Sequence, residues 1–314
     1  MMYRISGHES FACRYAWLPK AVRGLRANPK LFANDSEDQA MVELGLGKNM
    51  VRSARFWSLV TGVATAAPEK GTGYQLTDFG VTLLGERGLD SFLEDVRTLW
   101  LLHWKLSTNV ENPLLAWDFL LNRWHDPELV ARTVVDALKK EAGKYDDKIS
   151  HASIEQHFET FLHTYYPTRS RKGDVQEDNL DSPLVELELI IKVGEREIDL
   201  SSGKREAIYS FRREEKPEIS PELFAYCVAD FWQKRHAQNK TIPFRDVAHG
   251  HGSPGQIFKL PEEDIRSRLE TLEQETGGLF TYIESANMQQ LQKRDEPDSI
   301  EMLKKVYQEK TLHV

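Results

Sequence analysis

The first 23 residues of this 314-residue chain gather side chains suited to phosphodiester chemistry. His8 can move a proton, Glu9 supplies a carboxylate, and Tyr15 offers a phenolic nucleophile or a ring on which a base can stack. Arg14, Lys20 and Arg23 follow closely, and such cations hold phosphate oxygens. Cleaving a phosphodiester requires an activated nucleophile and stabilisation of transition-state charge. A divalent ion, Mg2+ by reaction class, often bridges those oxygens. Residue types alone leave two readings open: a cutting site, or a core of Phe11, Tyr15 and Trp17 whose neighbouring cations only grip a backbone.

A second set, Lys48, Asn49, Arg52 and Arg55, is spaced for one helix. At ~100° per residue the three cations fall within ~60° of one another, with Asn49 beside them. Met50, Val51, Ala54 and Trp57 take the other side. Arg and Lys bond phosphates and guanine edges, and Asn bonds adenine. A solvated amphipathic helix would carry the same stripe.

The elements around these residues narrow the choice. Ser36-Glu37-Asp38-Gln39 fits a capping box that opens a helix to about Leu44. Gly45-Leu46-Gly47 makes a tight turn, and Lys48 opens a second helix to about Thr61. A short β run (Val63–Ala67), a turn-rich Pro68–Gly73 and Tyr74-Gln75-Leu76 come next, and Thr77 caps a further helix. Helix, glycine turn, helix and hairpin is the order of a winged helix-turn-helix. Upstream, Pro19 suits the first turn of a helix that places Lys20 and Arg23 on one face.

Farther on, Asp90–Lys105 reads as a helix with Asp90 as N-cap and first-turn acids Glu94 and Asp95. Trp100, Trp104, Trp117 and Trp124 anchor a helical middle reaching about Tyr166. Thr168–Ser182 is a polar linker, and Leu184–Val193 is a strand or a helix end. A second module begins near Pro221, with a helix to about His236 and a short helix over Ile242–Ala248. A glycine-rich His249–Gly255 and a helix over Pro261–Thr276 follow. Gly277-Gly278 stops that helix before a strand at Leu279–Ile283, a second winged-helix-like order. His249-Gly250-His251 lacks a third ligand at fixed spacing, and Ser253-Pro254-Gly255 reads as a turn. The expected fold is mainly α with small β wings (α+β). Three regions are expected: 1–90 for DNA binding, 91–180 as a helical middle with its linker, and 181–314 as the second module.

Composition sets the outer bounds. Forty per cent hydrophobic and 29% charged residues allow a folded core. The net charge is −8, yet Met1–Trp57 holds nine Lys/Arg against five Asp/Glu, so a +4 segment precedes a remainder of −12. Such asymmetry suits an anionic partner at one face. No apolar run approaches the ~18–20 residues of a membrane span. The N-terminus lacks a secretory apolar region. Cys13 and Cys227 lie too far apart for metal-type spacing. A cytoplasmic protein without membrane contact is expected.

Four blocks together resemble a known family. They are Gly7-His8-Glu9-Ser10-Phe11 with Arg14-Tyr15-Ala16-Trp17-Leu18-Pro19-Lys20; Leu44-Gly45-Leu46-Gly47-Lys48-Asn49-Met50-Val51-Arg52-Ser53 with Trp57; Gly88-Leu89-Asp90, Leu93-Glu94-Asp95 and Thr98–Trp104; and Ser253-Pro254-Gly255 with Phe258-Lys259-Leu260. The family is the SspB-type DNA nickase group of bacterial single-strand DNA phosphorothioation systems, a domain of unknown function. The resemblance implies a protein that nicks one strand of double-stranded DNA during sulfur modification of the backbone and the anti-phage defence it supports. Its implied partners are a cysteine desulfurase, an ATPase and an ATP-pyrophosphatase-type sulfur-transfer enzyme. Carried over, the DNA-engaging positions are Arg14, Lys20, Arg23, Lys48, Asn49, Arg52 and Arg55. His8, Glu9 and Tyr15 as catalytic groups rest on residue chemistry alone. The rival readings are a non-catalytic DNA-binding subunit that recruits sulfur-transfer enzymes, and a protein-interaction scaffold.

Overall fold

Trp17 opens the first helix, α1 (Trp17–Ala27), because Trp17, Leu18, Ala21, Val22 and Leu25 recur at helical spacing and all become buried. Arg23 and Arg26 stay exposed on the opposite face. The structure, a computed structural model, describes residues 3–33, 35–67, 73–167, 182–199, 204–285 and 287–308. It is α+β and divides into two units, Met1–Arg212 and Arg213–Val314.

In the first unit α1 is followed by α2 (Glu37–Leu44), α3 (Lys48–Val60), the hairpin β1 (Ala64–Ala66) and β2 (Tyr74–Leu76), and α4 (Asp78–Leu84). Gly45 ends α2 at φ +61, a left-handed value that glycine adopts without a Cβ clash. Gly47 then caps α3 in extended geometry. The hairpin is antiparallel, with Ala64 opposite Leu76 and Ala66 opposite Tyr74. Thr77 caps α4 as expected, its hydroxyl accepting from the Gly80 N–H at 3.0 Å. A small core of Ala21, Leu25, Leu31, Phe32, Ala40, Leu44, Val51 and Ala64 holds α1, α2, α3 and β1 together. Each large apolar side chain removed from water there contributes about 1.5–3 kcal/mol.

The rest of this unit comprises α5 (Val96–Ser107), α6 (Leu115–Asn122), β3 (Leu129–Val130), α7 (Ala131–Ala142) and α8 (His151–Tyr165). A 3-10 turn (Pro183–Leu187) and the strands β4 (Ile190–Asp199) and β5 (Lys204–Phe211) complete it, in an antiparallel sheet ordered β3-β5-β4. Trp100, Trp104 and Trp117 are core, each no more than 1% exposed. The Trp117 indole N–H donates to Tyr165 Oη at 2.9 Å, which ties α6 to α8.

The second unit is built around α9 (Pro221–Arg235), buried continuously from Leu223 to Trp232. Ser220 caps it by accepting from the Leu223 N–H at 3.2 Å. Next come β6 (Thr241–Pro243), α10 (Phe244–His249), α11 (Pro254–Phe258), α12 (Glu262–Glu275), β7 (Phe280–Ser285), β8 (Met288–Lys293) and α13 (Ser299–Val306). The strands form a sheet ordered β6-β8-β7. Gly277 and Gly278 both take positive φ where α12 stops.

Several local expectations are corrected. Ser36 precedes α2 but makes no side-chain cap bond. The helix read from Asp90 starts instead at Val96, with Asp95 as its cap, because Leu93 at φ +63 breaks the path. Asp90 accepts from the Glu94 and Asp95 N–H groups and shapes that turn. Trp124 is only half-buried, donating to the Glu128 carbonyl. Leu184–Val193 splits between the 3-10 turn and β4, and Ile242 lies on a strand rather than a helix. Residues 168–181 of the expected linker, and 68–72 of the expected hairpin turn, lie outside the described residues. No helix among the described residues is long and apolar enough to cross a membrane.

Candidate functional site

Glu9 of the N-terminal set and Arg52 and Arg55 of the α3 set line one pocket. A cavity of about 360 Å3 is lined by Glu9 from the N-terminal segment, Phe32 from the loop after α1, Glu37 of α2, and Val51, Arg52 and Arg55 of α3. Three segments distant in sequence are needed to build it. α3 supplies the wall because its apolar face is anchored: Val51, Ala54 and Trp57 are buried. That leaves Lys48 and Asn49 exposed and Arg52 and Arg55 half-buried at the opening.

Electrostatics at the pocket centre on Glu37. Its carboxylate accepts from Arg52 Nε at 2.5 Å and from Arg52 Nη2 at 3.3 Å, and it pairs with Lys48 Nζ at 2.9 Å. Arg52 first, then Lys48, holds the Glu37 carboxyl below its ordinary pKa, and the Glu37 hydrogen bond raises that of Arg52. Arg55 instead donates to the Phe32 carbonyl at 3.3 Å. The cationic stripe therefore faces outward, but two of its three members are clamped by one acid.

Glu9 sits on unusual backbone. Gly7, Glu9 and Ser10 have φ of +107, +50 and +63. Left-handed geometry costs a side-chain-bearing residue about 1–2 kcal/mol unless its surroundings impose it. Here they do. His8, between them, is 2% exposed and locked from several directions. The Ser10 N–H donates to His8 Nδ1 at 3.1 Å, which puts the ring proton on Nε2, facing the Ile5 carbonyl at 3.1 Å. The His8 carbonyl accepts from Ser53 Oγ of α3 at 3.0 Å. The His8 ring stacks on His157 of α8, centroids 5.4 Å apart, and Thr160 Oγ1 lies 3.2 Å from Nδ1. His157 in turn accepts from the Ala116 N–H at 3.1 Å. Burial lowers the pKa of both rings, that of His157 to about 3, with the neighbouring His8 adding to it.

The other expected site residues are placed as follows. Tyr15 is half-buried and its hydroxyl donates to Glu186; burial first, then that bond, raises its pKa. The Arg14 guanidinium lies over the Phe11 and Trp17 rings, 5.6 and 5.5 Å from their centroids. Lys20 Nζ donates to the Leu44 carbonyl at 2.8 Å and so closes the C-terminus of α2. Arg23 is exposed. Of the catalytic set, Glu9 alone lines the pocket, and of the DNA-binding set Arg52 and Arg55 do. In the second unit His249 pairs with Glu262. Among the described residues no three His, Cys, Asp or Glu side chains converge into a set that could hold a metal ion.

Sequence reasoning missed Glu37 as the clamp, Ser53 as the tether and His157 as the partner ring. A serine on the buried side of α3 was the available signal for the tether. Nothing in spacing announces a histidine partner 149 positions away.

These features define a class: a two-unit α+β protein whose helix–glycine turn–helix presents cations beside a carboxylate-bearing pocket. The chain belongs to the family described as Protein of unknown function (DUF4007), which matches residues 5–307. Its fold is shared with two solved structures, a magnesium ion-bound SspB (TM-score 0.81) and SspB (TM-score 0.79). Each is 24% identical over 96% of this chain and 87% of that one. No curated protein matches.

Proposed function

We propose that this chain docks double-stranded DNA across α3 and nicks one strand within a DNA phosphorothioation system. One observation carries the reading: Arg52 and Arg55 of α3 share a pocket with Glu9, while Lys48 and Asn49 lie exposed at the start of the same helix. α2, the glycine turn, α3 and the β1–β2 hairpin follow winged helix-turn-helix order, in which the second helix of the pair enters the major groove. α9, β6, α10–α12 and the β7–β8 hairpin repeat the theme in the second unit. The shared fold with SspB supports the phosphorothioation context. The partners in this reading, a cysteine desulfurase, an ATPase and an ATP-pyrophosphatase-type sulfur-transfer enzyme, are those the family resemblance implies.

In the nicking reading, Glu9 takes a proton from the attacking water as the water oxygen bonds to phosphorus, and one P–O ester bond breaks. The departing sugar oxygen takes a proton from solvent, and Arg52 and Arg55 neutralise the charge on the phosphate oxygens. His8 is a positioning residue, since its buried ring fixes the backbone on which Glu9 stands. A magnesium ion is bound in one SspB structure. Here the donors at the pocket are Glu9 and a Glu37 already held by two cations. Two carboxylates, one of them already paired twice, do not make a metal-binding set, and no such set occurs among the described residues.

A second reading, a non-catalytic DNA-binding subunit that recruits sulfur-transfer enzymes, is favoured by two facts: His8 is enclosed, and Tyr15 is bonded to Glu186. Supercoiled plasmid incubated with the protein and MgCl2, with and without EDTA, separates the two. Nicking yields open-circle product, and Glu9→Gln removes it while duplex binding persists. Binding without open circles establishes the second reading; no duplex binding refutes both.

A further inference from the structure

A second cavity in the first unit, of about 550 Å3, has no part in the reading above. It lies where the last turn of α3 (Leu59, Val60) meets the β1–β2 hairpin. Tyr74 of β2 lines it and packs edge-on against Phe32 of the Glu9 pocket, ring centroids 6.2 Å apart, so the two cavities adjoin across these rings. At ~1.5 Å per residue, the stretch of α3 from Arg52 to Leu59 separates them by ~10 Å.

The lining brings three kinds of group together. Arg4 supplies a guanidinium that is half-buried over the Phe56 ring, 5.1 Å from the centroid. Among the described residues no carboxylate pairs with it and no acceptor takes a hydrogen bond from it. Its backbone is pinned: the Arg4 N–H donates to the Pro113 carbonyl at 2.9 Å, and its carbonyl accepts from the Leu115 N–H at 3.2 Å. Tyr3 and Tyr74 supply rings, and the Tyr3 hydroxyl is already committed to Asp118 at 2.7 Å. Asn109 and Asn112 supply carboxamides. Asn109 Oδ1 accepts from the Glu111 and Asn112 N–H groups at 3.1 and 3.0 Å, which fixes the amide and leaves its Nδ2 as a donor. The Asn112 side chain is exposed and makes no hydrogen bond among the described residues. Glu111, the acid in the lining, is exposed.

A lone cation, aromatic rings and carboxamides match the three parts of an unstacked nucleotide: its phosphate, its base face and its base edge. A single cation suits one phosphate, and the volume is more than a bare phosphate fills. A paired base shows only its edge in a groove, so a base must leave the stack to enter a cavity.

We propose that this cavity seats one unpaired nucleotide of the bound DNA, its phosphate on Arg4, its base against Tyr74 and its base edge on Asn109 and Asn112. The site rests on the DNA-docking reading above and adds a substrate class to it. That class is a duplex with an unpaired nucleotide about three steps, at ~3.4 Å each, from the phosphate at Glu9.

The test is fluorescence anisotropy of the full chain with three labelled duplexes: one fully paired, one with a single bulged deoxyadenosine, and one with an abasic residue at the bulge. The base-bearing bulge is expected to bind about 5-fold or more tightly than the abasic one, as one stacked base supplies. Asn112→Ala and Tyr74→Leu each bring that ratio towards one. Tyr74 also packs on Phe32, so the exposed Asn112 carries the comparison free of any folding defect. Arg4→Gln weakens both bulged duplexes relative to the paired one, because both present the phosphate. Lys48→Gln, on the docking helix, weakens all three alike. Equal binding of the two bulges by the native chain means that no base is held and overturns the site, while docking stands. A ratio that survives both Asn112→Ala and Tyr74→Leu overturns it too, as does Arg4→Gln weakening all three duplexes equally. A native chain that binds none of the three refutes the docking reading and the site together.

Discussion

Replacing Glu37 with glutamine tests whether the α3 cations are DNA contacts held in reserve. One carboxylate holds Lys48 at 2.9 Å and Arg52 at 2.5 Å, at the mouth of the pocket that also contains Glu9. Lys48 is exposed and Arg52 and Glu37 are only half-buried, so solvent screens both pairs and their loss changes folding stability little. Their effect on DNA is larger, because the same two cations are released to meet phosphates. If each takes one, the slope of log K against log salt steepens by ~1.8. Raising KCl from 50 to 200 mM then costs Glu37→Gln about 12-fold more affinity than it costs the native chain. At 50 mM the variant binds more tightly. Fluorescence anisotropy with a labelled duplex reads both numbers. pH supplies a control on the cause. Arg52, then Lys48, depresses the Glu37 pKa, so the clamp is intact above the ordinary carboxylate range and is lost only as pH falls through the lowered value. Between pH 6 and 8 the difference between variant and native chain therefore stays constant. An equal or shallower slope for Glu37→Gln would show that Glu37 does not withhold Lys48 and Arg52 from phosphates, and the reading of the clamp as a reserve would fall.

Three further outcomes follow from the same geometry. Ser53→Ala leaves the buried His8 carbonyl without the partner now 3.0 Å away and is expected to destabilise the fold by about 1–3 kcal/mol in urea melts. His157 is neutral when folded, with a pKa of about 3, and takes up a proton when unfolded near 6.5. Native stability thus falls as pH drops below ~6.5, by up to about 1.4 kcal/mol per unit for this ring, and His157→Gln flattens that dependence. Glu9→Gly removes the pocket carboxylate from a φ of +50. Calorimetry is expected to show about 0.5–1 kcal/mol of added stability as open-circle product disappears, and a loss of stability would mean the backbone there is not strained.

Elements whose cause is local could be read before the structure. The bounds of α2 and α3 follow from Gly45 and Gly47, and the face of α3 follows from Val51, Ala54 and Trp57. The Asp90 error has the opposite origin. An aspartate before an apolar run fits an N-cap, but whether the chain turns helical there depends on Leu93, which is 2% exposed and held at φ +63. Cations show the same divide. Their presence on a face is periodic and legible, whereas their partners are not: Lys20 finds a helix terminus and Arg52 finds an acid 15 positions back. Thus Glu9, Arg52 and Arg55 were legible as members of two residue sets, and their meeting in one pocket with Glu37 was not.

The Gly7–Ser10 segment shows how the candidate site divides its work. His8 looks like the reactive member by type, with a pKa ordinarily near neutrality. Burial against His157 lowers its pKa and holds the ring in place as an anchor. An anchor at His8 forces its neighbours to accommodate a reversed chain, and Gly7, Glu9 and Ser10 do so at positive φ. Glycine accepts this freely, whereas Glu9 and Ser10 accept it only because Ser53, Thr160 and His157 fix the residue between them. The strain falls on Glu9 and Ser10, and Glu9 is one of the two carboxylates that line the pocket with the α3 arginines. The proposed nicking reading makes use of this geometry, because the backbone held at positive φ is the backbone that carries the Glu9 carboxylate into the pocket with Arg52 and Arg55.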